Sequence, residues 1–148
     1  MNDLFIEDVA DSVKMTVARN SQLGQFMTPP GIADFMAGLF STPFPETVRL
    51  LDAGAGQGAL TAAFIARWHK SGAHGMLVAH AYEADQAMIG GLCSVLDAAI
   101  ADSISVELFE GDFIERAANM VRLARRPRYT HAILNPPYKK RVFGDSSG

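Results

Sequence analysis

The sequence predicts an α/β fold, a doubly wound and mainly parallel sheet with a helical segment ahead of it. Three observations lead there. Short apolar runs alternate with helix-length amphipathic stretches from residue 46 to residue 138, the pattern of βα units feeding a parallel sheet. A glycine-rich turn, Gly54-Ala55-Gly56-Gln57-Gly58, follows the first run. Asp52, Glu83, Asp112 and Asn135 fall in turn at the ends of four successive runs. The carboxyl ends of parallel strands are where open α/β sheets bind their ligands.

The elements are expected in the following order. Phe5, Val9, Val13 and Val17, with Ile6 and Ala10 beside them, have helical spacing. After a loop over 20–27, Thr28 reads as the N-cap of a second helix, with Pro29 at its first helical position. Its expected core face is Ile32, Phe35, Met36 and Leu39, and Pro43 and Pro45 stop it. Strands are then expected over 48–53, 76–82, 103–109 and 129–134, and helices over 59–69, 86–101 and 113–125. Cys93 lies on the second of these helices among Leu92, Val95 and Leu96 and reads as core. The domain organisation expected is a helical segment over 1–45, a partial catalytic domain over 46–141 and a tail over 142–148.

Composition narrows the class. The chain has 148 residues, 49% of them hydrophobic, enough for a globular domain with a core. No apolar run reaches the roughly 18 residues of a membrane span. The start, Met1 to Asp8, is acidic and does not read as a secretory signal. A single cysteine excludes an internal disulfide framework and suits a cytoplasmic location. The net charge of −3 hides an asymmetry: residues 1–113 sum to −9 and residues 114–148 to +6. Lys139-Lys140-Arg141 stand directly after the Asn135 motif, where a basic segment can meet a phosphate backbone. The four histidines, His69, His74, His80 and His131, have no metal-ligand spacing, so no metal is expected.

The glycine turn carries a cofactor reading. Its glycines alternate, whereas the dinucleotide fingerprint is G-x-G-x-x-G. Asp52 just before the turn suits a cationic ligand better than a pyrophosphate. S-adenosylmethionine, which carries a sulfonium and an ammonium group and no phosphate, fits that demand. Gly54 and Gly56 would let the backbone approach it. Glu83 would accept the ribose hydroxyls, Asp112 the adenine amino group, and the Phe113 ring would lie against the adenine.

Asp52-Ala53-Gly54-Ala55-Gly56 resembles the first motif of the S-adenosylmethionine-dependent methyltransferases. Asn135-Pro136-Pro137-Tyr138 matches the catalytic motif of those that act on amino groups. Upstream, Gly24-Gln25-Phe26-Met27-Thr28-Pro29-Pro30 resembles the N-terminal motif of adenine-specific DNA methyltransferases of restriction–modification systems, in the gamma-group order. The resemblance covers residues 20–141. It implies methyl transfer to the exocyclic amino group of adenine in double-stranded DNA, on a base flipped from the helix. It also implies that Phe26, Thr28 and Pro29 lie near the methionine end of the cofactor.

The catalytic motif suits such chemistry. The amino nitrogen of adenine is a poor nucleophile because its lone pair delocalises into the ring. Two acceptors on its hydrogens, the Asn135 side-chain oxygen and the Pro136 carbonyl, would free that lone pair. Pro136 and Pro137 stiffen the turn and preorganise them. Tyr138 offers a stacking surface for the flipped base. No cysteine nucleophile is needed, and Cys93 is not placed for one.

The resembled family has further strands and a target-recognition region after the catalytic motif, so this chain reads as the first part only. Taken alone it is expected to be inactive, and its fourth strand, over Ala132 to Leu134, is expected to be an open edge prone to self-association or to pairing with a complementary chain. Two rival readings remain. One is methylation of a protein glutamine amide or an RNA guanine amino group, which shares the tetrapeptide. The other is a non-catalytic cofactor-binding or dimerisation module.

Overall fold

The computed structural model describes residues 27–124 and 128–136, all within one compact unit, Met27–Pro136. The expected helix over Phe5 to Val17 lies outside the described residues, as do Phe26, Pro137, Tyr138 and Lys139 to Arg141. In chain order the elements are α1 (Pro30–Gly38), β1 (Thr47–Ala53), α2 (Ala59–Lys70), β2 (Met76–Glu83), α3 (Gln86–Ala99), β3 (Ile104–Glu110), α4 (Phe113–Arg122) and β4 (His131–Ala132). The four strands form one sheet in the order β3-β2-β1-β4. Every pairing is parallel. This is the α/β architecture the alternation predicts.

Strand order decides where the site lies. The chain steps outward from β1 to β2 to β3, then crosses back to place β4 on the other side of β1. The reversal opens a crevice at the carboxyl ends of β1 and β4. The glycine turn leaves one of those ends and Asn135 follows the other. β1 is interior to the sheet, and Val48, Leu50, Leu51 and Asp52 are all buried in it. A near-continuous buried run is what a strand covered on both faces shows.

The core follows from helix periodicity. In α2, Leu60, Ala63, Phe64, Ile65 and Trp68 are buried, one apolar stripe against the sheet. Phe64 is the hub: its ring lies 4.8 Å from Phe40, 5.5 Å from Phe44 and 5.6 Å from His131. α3 contributes Leu92 and Leu96 to a second cluster with Ala55 and Ala81. Asp85 caps α3 by accepting from the Ala87 amide, and Asp112 caps α4 by accepting from the Ile114 amide.

Several expectations are corrected. Thr28 is not the N-cap of α1. Pro29 is, and the helix starts at Pro30 with no side-chain cap. Its buried face is Ala33 and Ala37, with Met36 half-buried, while Ile32, Phe35 and Leu39 are exposed. The reason is close helix packing: small side chains let α1 approach α2, and large apolar residues cannot occupy that seam. Cys93 is half-exposed rather than core. β4 is confined to His131–Ala132; before it the Thr130 Oγ1 takes the Arg49 amide at 2.8 Å in place of a backbone carbonyl, while the Thr130 and Ile133 amides still donate to the Arg49 and Leu51 carbonyls. The expected strand end at Ala132 to Leu134 is at the sheet margin, and Leu134 is exposed.

The α1–α2 seam makes a clear mutational prediction. Ala33→Leu overpacks it and is expected to cost about 1–3 kcal/mol in urea unfolding of the 148-residue chain. Ile32→Ser, on the outer face of the same helix, is expected to stay within about 0.5 kcal/mol of wild type. Equal costs at the two positions would show that α1 is docked in another rotation.

Candidate functional site

The glycine turn is built by the strand that precedes it and the strand beside it. As β1 ends, the Gly54 and Ala55 amides both donate to the Tyr82 carbonyl of β2, at 2.9 and 2.8 Å. The chain then turns through positive φ at Gly54 (97°), Gly56 (57°) and Gly58 (85°), a region that side-chain-bearing residues avoid. At Gly54 and Gly56 a Cβ would meet nothing within 4 Å, so the space over the turn is open. Gly58 serves packing instead. A Cβ there would come within 3.0 Å of Leu92 Cδ1 and 3.1 Å of Val95 Cγ1.

Glu83 fixes the turn to the neighbouring strand end. It is buried, and both its oxygens accept backbone amides: Oε2 from Gly56 at 2.7 Å and Oε1 from Asp85 at 2.7 Å. Each carboxylate oxygen has a second lone pair, so the clamp leaves acceptor capacity for two hydroxyls. The Gly111 amide also donates to the Glu83 backbone carbonyl, at 2.8 Å. Gly56, Glu83 and the β3 terminus are thereby tied into one edge. Asp112 follows at that edge and uses Oδ1 as the α4 cap, 2.7 Å from the Ile114 amide.

Asp52 is wholly buried. Its Oδ2 accepts from the Thr61 hydroxyl at 2.7 Å, and its Oδ1 has no hydrogen-bond partner among the described residues. Burial pushes its carboxyl up to about 6 from a usual 3.8; Thr61 offsets part of that, and the nearby Glu83 adds to it. Thr61 escaped the sequence reading. The signal was available, since a hydroxyl one turn into the helix after a glycine loop faces back to the strand end that feeds it. A half-satisfied buried carboxylate is costly unless a cation completes it. A sulfonium- and ammonium-bearing ligand fits this donor set, whereas a pyrophosphate would meet like charge.

Phe113 is half-buried and already has an aromatic partner, its ring standing edge-on to Tyr82 at 4.9 Å. Tyr82 in turn stacks on Phe109 at 4.8 Å. Arg116 lies over Phe109, 4.5 Å from the ring centre. This cluster holds α4 to the sheet. On the other side of β1, Asn135 is half-buried and its Nδ2 donates to Thr28 Oγ1 at 3.2 Å. Pro136 is exposed beside it. Thus Gly56 is bonded to Glu83, Gly54 to the Tyr82 carbonyl and Asp52 to Thr61 at the neighbouring ends of β1 and β2, Thr28 is bonded to Asn135, and Asp112 and Phe113 stand at the head of α4. Phe26, Pro137 and Tyr138 are outside the described residues.

No family model matches the chain. Over 147 residues it is 41% identical to the Type II methyltransferase M.BsuBI of Bacillus subtilis, an alignment covering 91% of this chain and 29% of that protein. It is 33% identical to the Type II methyltransferase M.PstI of Providencia stuartii, over 93% of this chain and 29% of that protein. The chain is a relative of Type II methyltransferases. It spans less than a third of the length of these two. Among solved structures, the crystal structure of MNMC2 from Aquifex aeolicus matches 68% of this chain and 35% of that one, with a TM-score of 0.40 and 16% identity; a match of that depth carries no weight for function. Asp52 is the last residue but one of β1 and Asn135 lies three positions beyond β4, the two adjacent strands where strand order reverses.

Asp52 sets a pH dependence. Its folded-state value lies above its unfolded one, so the folded chain binds the extra proton and is favoured at low pH. Stability then falls as pH rises from about 4 to about 6, by about 3 kcal/mol at the full shift. Asp52→Asn is expected to abolish that fall and to raise the unfolding midpoint at pH 7.5 while changing it little at pH 4. Parallel urea-unfolding profiles for the two proteins across that range would contradict the assignment.

Proposed function

We propose that this chain is the cofactor-binding and catalytic-motif part of an S-adenosylmethionine-dependent methyltransferase acting on the exocyclic amino group of adenine in DNA. The observation that carries the reading is the pairing of two constellations across the strand-order reversal. On one side stand the orphaned Asp52 Oδ1 and the Glu83 clamp on the glycine turn. On the other stands Asn135, three positions past the end of the strand next to β1. Relationship to Type II methyltransferases supports it.

The residues that would hold the cofactor are Asp52 and Glu83, with Gly54 and Gly56 giving it room and Asp112 and Phe113 at the adenine end. Thr28 and Pro29, and Phe26 outside the described residues, belong to the methionine end. When bound, S-adenosylmethionine supplies an electrophilic methyl group. The chain's own task is to orient and activate the target. Asn135 Oδ1 and the Pro136 carbonyl accept the two amino hydrogens of the base, which concentrates the lone pair on nitrogen. Tyr138 would stack on the flipped base. Holding both reactants within one crevice supplies much of the remaining acceleration. The motif contains no strong general base, and attack requires none beforehand, because the product cation sheds its proton readily.

DNA is the proposed partner, met in part through Lys139-Lys140-Arg141. The rest of a base pocket and the sequence-reading surface would come from chain beyond this sequence, and residues 1–148 alone are expected to transfer little or no methyl group to DNA. A cytoplasmic location accords with this reading; among the described residues no helix is long and apolar enough to cross a membrane.

Two measurements test the proposal. By calorimetry the 148-residue chain is expected to bind S-adenosylmethionine and not NAD, and Glu83→Ala is expected to weaken binding by about 2–5 kcal/mol. In the full reading frame, mass spectrometry of digested DNA is expected to find methylated adenine, with Asn135→Ala lowering turnover at least about a hundredfold and leaving cofactor affinity nearly unchanged. Equal binding of NAD, or methylation that survives Asn135→Ala, would overturn it.

A further inference from the structure

Thr28 stands immediately before Pro29 and Pro30, where a side-chain hydroxyl normally caps the following helix. In this fold it does not. The α1 N-terminus has no side-chain cap, and its first turn is closed by the Pro29 carbonyl, which accepts from the Ile32 and Ala33 amides at 3.0 Å each. The Thr28 hydroxyl instead takes the Nδ2 of Asn135, 107 positions further along the chain.

We propose that Thr28 is a positioning residue for the Asn135 carboxamide: it engages the donor end, so that the acceptor end is the one offered to the target. The proposal rests on the reading of Asn135 as an acceptor for an amino group. A carboxamide is a planar fork with two N–H donors at one end and one oxygen at the other. Turning it by half a revolution exchanges the ends and would present N–H to N–H, which repels. Nothing intrinsic to asparagine selects one orientation over the other. In this structure the end that meets Thr28 is Nδ2, with Oγ1 acting as the acceptor although a hydroxyl can also donate, so the orientation is what the measurement below reads. Among the described residues Asn135 Oδ1 has no hydrogen-bond partner and Nδ2 has this one.

Both partners are carried on stiff supports. Thr28 precedes Pro29 and Asn135 precedes Pro136, and a residue before proline is confined to extended backbone. Pro29 itself is extended, with φ −59° and ψ 147°. Behind Thr28, α1 is seated on α2 through Ala33 and Ala37. Ahead of Asn135, Ile133 is buried and its amide donates to Leu51 of β1 at 2.9 Å. The orientation of the carboxamide is therefore set by the fold before any ligand arrives. This role is separate from a place at the methionine end of the cofactor: it is read in the Asn135 NH2 pair and in kcat, the other in cofactor affinity.

The deciding measurement needs neither cofactor nor DNA. The chain has four asparagines, at 2, 20, 119 and 135, so selective labelling with 15N-asparagine gives four side-chain NH2 pairs, and the pair lost in Asn135→Asp is assigned. In the 148-residue chain one Asn135 Nδ2 proton is expected shifted downfield of its position in a free asparagine amide and slowed in exchange with solvent. Thr28→Val is expected to remove both signs and Thr28→Ser to keep them. An Asn135 pair with free-amide shifts and free exchange in the wild-type chain would overturn the proposal, whether or not the variants fold. So would a Thr28→Val chain, folded by its backbone spectrum, in which the pair is unchanged.

Kinetics in the full reading frame give a second reading. Loss of one neutral hydrogen bond is expected to lower kcat about tenfold in Thr28→Val, with recovery in Thr28→Ser. A large loss of cofactor affinity at unchanged kcat would assign the hydroxyl to the cofactor and overturn the proposal. A wild-type enzyme that methylates no adenine would count against the function proposed above and leave the NH2 result standing.

Discussion

Two backbone amides end on the carboxylate of Glu83, one from Gly56 in the glycine turn and one from Asp85 at the head of α3. The rest of the ligand edge depends on this arrangement. A turn with three residues at positive φ has many alternatives in a free chain, and glycine gives up more conformational entropy on folding than any other residue. A buried carboxylate that accepts backbone N–H groups selects one of them. The same strand end holds Gly111 through its carbonyl. The loops after β1, β2 and β3 are thus referred to one residue, and the position of each follows from the register of the sheet.

Asp52 shows the reverse economy. Its carboxylate is buried and only partly satisfied, which costs stability at neutral pH without any gain in packing. Such a group is retained where a ligand completes it, and Thr61 supplies just enough hydrogen bonding to hold the side chain in place. On the function proposed above, cofactor affinity and stability of the empty fold would pull in opposite directions at this one position.

Much of this was legible in the sequence, for reasons that belong to parallel sheets. Buried strands write apolar runs, as β1 and β2 do, the edge strand β3 alternates apolar and polar residues, and with the three helices between and after them these could be read from pattern alone. Glycines at 54, 56 and 58 marked the turn because few other residues tolerate its backbone. What was not legible depended on partners distant in sequence. The inward face of α1 is alanine rather than Ile32, Phe35 and Leu39, because the neighbour's distance and not hydrophobicity sets side-chain size there. β4 begins late because the Thr130 hydroxyl takes the Arg49 amide from the backbone, which no period-2 pattern records. The Thr28–Asn135 bond joins two motifs that the sequence presents as unrelated.

That last bond also bears on the order in which the molecule assembles. Its partners sit near the two ends of the compact unit, 107 positions apart, and contacts of such separation form only after the intervening chain has condensed. β1 to β3 can pair and bury Leu50, Leu77 and Ile104 without it. A nascent or partly unfolded molecule can therefore own a complete glycine turn, and a place for a small ligand, while its Asn135 carboxamide still rotates at random. On the function proposed above, competence for chemistry would depend on a contact that closes the two ends of the unit and would be sensitive to fraying there.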